Sequence, residues 1–81
     1  MQHPQPAIPL TQLPLGAAAT VVAVRLQGAE RRRLLDLGVV PGARVEALFD
    51  SVLGRPRAYR IRGTMLALRT DQSDAIEVLP A

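Results

Sequence analysis

The chain has 81 residues, 48% of them hydrophobic, and no cysteine; this leaves room for one small domain and excludes a disulfide framework or thiolate metal ligation. Phe49 and Tyr59 are the only aromatics, so a core must be built from Val, Leu, Ile and Ala. The net charge is +3 and every basic residue is an arginine, which suits an acidic partner or nucleic acid but demands neither.

Residues 1–9 are polar and Pro-rich, and they predict an unstructured tail ahead of a domain over 10–81. The tail has no Lys or Arg, and Pro4, Pro6 and Pro9 make a poor signal sequence. The weakly polar stretch from Leu13 to Val24 is broken by Pro14, Gly16 and Thr20 and falls short of the roughly 20 residues that span a bilayer. A cytoplasmic chain is expected. Leu10 to Gly16 predicts a short helical turn or loop whose leucines pin it to the body. Thr20 to Leu26 alternates as a strand, with Val22, Val24 and Leu26 on one face and Val21, Ala23 and Arg25 on the other.

A helix is predicted from Ala29 to Leu37. Leu34 and Leu37 share one face, Leu35 widens it, and Glu30 lies near the positive N-terminal end. Arg32 and Asp36 stand at i,i+4. Gly38 suits the left-handed residue that ends a helix. Pro41 fixes the first corner of a turn, and Gly42 supplies the positive φ that a type II turn needs next.

Ala43 to Asp50 alternates again, with Val45, Ala47 and Phe49 on one face. Ser51 to Pro56 is a loop by its Gly and Pro content. Arg57 to Arg62 is the return strand, with Tyr59 and Ile61 inward and Ala58, Arg60 and Arg62 outward. Gly63 marks a tight reversal into Thr64–Arg69, Thr70–Ala75 forms a capped helical turn, and Ile76–Leu79 closes as a short strand. The expected fold is mainly β. It is a small antiparallel barrel with one helix inserted after the first strand and a helical turn before the last, closure hiding the strand edges.

Arg33-Leu34-Leu35, followed by Leu37-Gly38-Val39-Val40-Pro41-Gly42, resembles the RLxxLGxxPG signature of the ferrous iron transport protein A (FeoA) family. Leu10-Thr11-Gln12-Leu13-Pro14-Leu15-Gly16 is similar to the family's opening, and Gly54-Arg55-Pro56 falls at its hairpin loop. Leu66-Ala67-Leu68-Arg69 with Ala75-Ile76-Glu77-Val78 resembles its ending, so the likeness covers residues 10 to 79. It implies an SH3-like barrel acting as a cytoplasmic accessory protein of the membrane ferrous iron transporter, ferrous iron transport protein B, whose GTP-binding domain is the implied docking partner. The same barrel forms the C-terminal domain of iron- and manganese-dependent repressors, so a free-standing regulatory interaction domain is the alternative. No DNA-binding helices precede the barrel here, which favours the transporter reading.

For a partner surface, the residues point to Val52, Leu53, Gly54 and Arg55 together with Arg32 on the helix. Apolar side chains at a hairpin tip beside arginine are typical of interfaces, the competing reading being that they cover an open barrel end. Leu34, Leu37, Gly38, Pro41 and Gly42 are read as framework. Arg60, Arg62 and Arg69 are candidates for an outward basic stripe, but no second aromatic interleaves with them, so a small-barrel nucleic-acid binder is the least favoured alternative and nucleic acid is not the expected partner. His3 stands alone, and Asp71, Asp74 and Glu77 form a carboxylate-only set better read as helix capping, so no metal site and no cofactor are assigned. No nucleophile–base pair or phosphate loop is visible, and a non-enzyme is expected. Self-association stays open.

Overall fold

The computed structural model describes residues 6–51 and 56–81. Six strands form one antiparallel sheet: β1 (Ile8–Pro9), β2 (Ala18–Val24), β3 (Arg44–Asp50), β4 (Arg57–Ile61), β5 (Thr64–Leu68) and β6 (Ile76–Pro80). Helix α1 (Gly28–Asp36) follows β2, the one-turn α2 (Thr70–Asp74) follows β5, and a 3₁₀ turn at Leu10–Gln12 follows β1. Spatial order is β1-β6-β2-β3-β4-β5. Val21, Val45, Ala47, Tyr59, Ile61, Leu68, Ile76 and Val78 all enter one buried cluster. Five strands can share one core only if the sheet curls around it. Leu10 and Leu13 are buried in the same cluster, so the leucines after β1 do pin the turn.

The corner after α1 follows from its residues. Gly38 has φ +103°, its N–H donates to the Leu35 carbonyl at 3.0 Å, and the Val39 N–H donates to the Leu34 carbonyl at 2.9 Å. These two bonds satisfy the last helical carbonyls and swing Val39 into the core beside Leu34. The Ala43 N–H then bonds the Val40 carbonyl at 3.0 Å across Pro41-Gly42, with Gly42 at φ +91°. Gly42 and Ala43 exchange backbone hydrogen bonds with Val21, which fastens the turn to β2.

Four expectations are corrected. Ile8–Pro9 is not tail but an edge strand paired to Val78 and Glu77, where a residue without an N–H is tolerated and Ile8 packs on the core. A bulge at Val22 resets β2, so Val21 and Val24 both turn inward and Val22 is exposed. A second bulge, at Leu48, leaves Phe49 opposite Ala58 and 51% exposed, while Ala58, expected outside, is buried between Phe49 and Ala67 in the register. Leu37 is likewise exposed, because the chain leaves the helix there and Val39 takes the core position instead. The barrel-like curl expected is present, the ladder among the described residues ending at β1 on one side and β5 on the other.

Candidate partner-binding surface

Register decides which arginines are matched. Asp50 stands opposite Arg57 and Glu46 opposite Arg60, giving ion pairs at 2.7 and 3.3 Å. Arg25 pairs with Glu77, whose carboxylate raises the guanidinium pKa above its ordinary value. These exposed pairs each contribute little to stability.

Arg69 is a hub. Its guanidinium bonds Asp71 at 3.1 Å and Glu30 of α1 at 2.8 Å, and the Asp71 contact holds that carboxyl below its usual range. Its backbone N–H donates to Gln72 Oε1 at 2.9 Å, and Gln72 Nε2 donates to Glu30 at 3.2 Å. This clasp ties the first turn of α1 to the start of α2. A Gln three residues after the helix-capping position is the sequence signal that could have revealed half of it.

Among the described residues Arg31, Arg32, Arg33, Arg44 and Arg62 form no ion pair, and Arg32 and Asp36 do not meet. Three of these are on α1, and the stem of Arg62 lies against Gly38 just beyond it: a Cβ at Gly38 would stand 2.9 Å from Arg62 Cδ. The expected stripe of Arg60, Arg62 and Arg69 is therefore not a stripe. Two of the three are held by carboxylates, and the unmatched positive charge gathers on α1 and the corner behind it.

Apolar surface accompanies that charge. A groove between α1 and β5 is lined by Arg33, Leu34, Leu37, Met65, Leu66 and Arg69. Met65 is 61% exposed and Leu37 is 38% exposed, large values for side chains of this type. Arg32 lies on α1, where it lines a separate concavity with Arg31, Leu35 and Leu37 and not the groove against β5. Val52, Leu53, Gly54 and Arg55 lie outside the described residues. Of the framework residues, Leu34, Gly38, Pro41 and Gly42 build the corner, whereas Leu37 belongs to the surface.

The acidic candidates do not converge. Asp71 bonds Arg69, Asp74 accepts from the Thr11 hydroxyl at 3.1 Å, and Glu77 pairs with Arg25. Among the described residues no three His, Cys, Asp or Glu side chains are grouped to hold a metal ion. The Tyr59 hydroxyl is buried with no hydrogen-bond partner among the described residues, and burial pushes its pKa up from 10.0. No helix among the described residues is long and apolar enough to cross a membrane.

A curled antiparallel sheet of this size, with a single arginine-rich helix standing off its open side, has the form of a small interaction module. The chain belongs to the FeoA family: the FeoA domain model matches residues 8–80. The FeoA protein of Chlorobium tepidum is 36% identical with a TM-score of 0.85, the match covering 90% of this chain and 70% of that one. FeoA of Stenotrophomonas maltophilia, solved with zinc and described as a procaryotic SH3 domain protein and candidate ferrous iron transport activating factor, is 33% identical at TM-score 0.74, covering 85% and 86%. IdeR of T. acidophilum shares the fold at TM-score 0.80 and 20% identity, over 100% of this chain and 37% of that one. No curated protein sequence matches the chain. The fold is thus an SH3-like barrel, and the family makes the chain an accessory domain of ferrous iron transport.

Proposed function

We propose that the chain binds the cytoplasmic GTP-binding domain of the membrane ferrous iron transporter, ferrous iron transport protein B, and modulates its nucleotide cycle. The observation that carries this reading is the α1 flank, where Arg31, Arg32 and Arg33 lack carboxylate partners among the described residues and Arg33 lines a groove with exposed Leu37 and Met65. Every other arginine on the described strands except Arg44 is internally neutralised, so charge would steer an acidic surface toward the helix. The description of the Stenotrophomonas protein as a candidate transport activating factor supports the same role here. Residues Val52 to Arg55 are assigned to the same contact by their composition.

The test is a titration of the chain against the transporter's soluble GTP-binding domain, with and without nucleotide. Saturable binding that weakens with salt is expected. Changing Arg31, Arg32 and Arg33 together to Glu should weaken it by at least about tenfold. Changing Leu53 and Arg55 together to Asp should do the same without unfolding the barrel. Absence of saturable binding in every nucleotide state would overturn the reading.

A further inference from the structure

The outer edge of β5 has hydrogen-bonding capacity that no described strand uses, and the hairpin before it fixes which residues carry it. Ile61 pairs with Thr64 around the two-residue turn Arg62-Gly63, whose φ values of 52° and 80° define a type I′ turn. The pair flanking such a turn exchanges hydrogen bonds, so by alternation Tyr59–Leu66 and Arg57–Leu68 do as well. Met65 and Ala67 then occupy the intervening pairs with Arg60 and Ala58, and their N–H and C=O groups point away from β4. The next N–H on that edge, Arg69, is already taken by Gln72 Oε1 at 2.9 Å. The usable edge is therefore short, about four residues or ~13 Å of strand.

This edge does not face open solvent on all sides. The Glu30–Arg69–Gln72 clasp holds α1 alongside, and the groove between them has Leu37 and Leu66 on its walls and Arg33 at its rim. Arg62 borders the Met65 end of the strand. A strand laid here would bury alternate side chains against Leu37 and Leu66 and bring its remaining groups near unmatched guanidinium charge.

We infer that β5 is a strand-addition site: an extended segment of the protein partner, alternating apolar with acidic residues, pairs with Met65 and Ala67 as a seventh strand between β5 and α1. Charge complementarity selects this occupant over a second copy of the chain, whose own β5 carries no acidic residue to meet Arg33 and Arg62 and is itself flanked by Arg62. The inference rests on the docking reading above and specifies its contact.

The experiment is amide hydrogen exchange on the full chain, alone and saturated with the transporter's soluble GTP-binding domain. On binding, the Met65 and Ala67 amides are expected to slow by at least about tenfold, the effect of gaining one hydrogen bond. Ala67→Pro removes a donor that β4 does not use, and should cut affinity by about tenfold or more while the barrel stays folded. If the domain binds but these amides are not slowed, strand addition is overturned while docking stands. If the wild-type chain does not bind the domain at all, docking falls and this inference with it. Slowing of the same amides with chain concentration alone would show a second copy in the groove and overturn the assignment.

Discussion

The two sides of this barrel use the same residue types in opposite ways. On the wall formed by β2, β3, β4 and β6, Val21, Val45, Ala47, Tyr59, Ile61 and Val78 are buried almost completely, and facing acids and arginines neutralise one another across the ladder. On the flank formed by α1 and β5, only Leu34 and Leu68 reach full burial, Leu37 and Met65 are exposed, and the helix carries three arginines without partners among the described residues. Stability resides on the wall. The flank keeps charge, apolar area and backbone hydrogen-bonding groups in reserve, which is the condition for binding another macromolecule.

Truncation tests that division most strongly. Ile61→Ala, on the wall, should lower unfolding free energy by about 2–5 kcal/mol, because a closed core leaves a cavity where the side chain was. Leu37→Ala, on the flank, should change it by less than about 1 kcal/mol. Urea unfolding of both variants checks the contrast, and equal losses would break it.

Proline placement sharpens it next. Leu66→Pro deletes a donor to β4 and should destabilise by about 2–3 kcal/mol, whereas Ala67→Pro, one residue on, should cost under about 1 kcal/mol. Thermal unfolding distinguishes them, and similar losses would mean that the outer edge is not free. At the corner joining the two regions, Gly38→Ala should cost about 1–2 kcal/mol, since φ +103° is hostile to any Cβ.

The smallest effect expected is at Tyr59. Its hydroxyl is buried without a partner among the described residues, so Tyr59→Phe should change stability at neutral pH by less than about 1 kcal/mol. Because burial raises the phenol's pKa in the folded state, its contribution is fully present below the ordinary value of 10.0 and is lost as pH rises through the raised one. The Phe variant should show less alkaline destabilisation than the wild type in unfolding measured at increasing pH.

The corner was legible because its determinants are local. Gly38 and Gly42 are required by the φ values of single residues, Pro41 presets its own, and Leu34 must follow the helical period. The order of strands and helices was legible for the same reason. The β1 strand was not, because pairing to β6 brings together residues about 70 positions apart, and the prolines around it argue locally against structure.

Of the candidate surface, the run of arginines on α1 was visible in the sequence, but exposed Met65 and the free edge of β5 were not. A single strand gives the same alternating pattern whether one or both of its edges are paired, so its sequence does not reveal where the sheet ends. Phe49 and Val22 show the companion difficulty. One extra residue at a bulge turns every later side chain to the other face, and the bulge is fixed by the partner strand's register. Thus the sequence by itself determined the elements, their order and the glycine-stopped corner, since those depend on neighbouring residues along the chain. Only the tertiary structure decided which arginines find carboxylates, which apolar groups remain outside and which edge is left open, since those depend on residues far apart in sequence meeting in space.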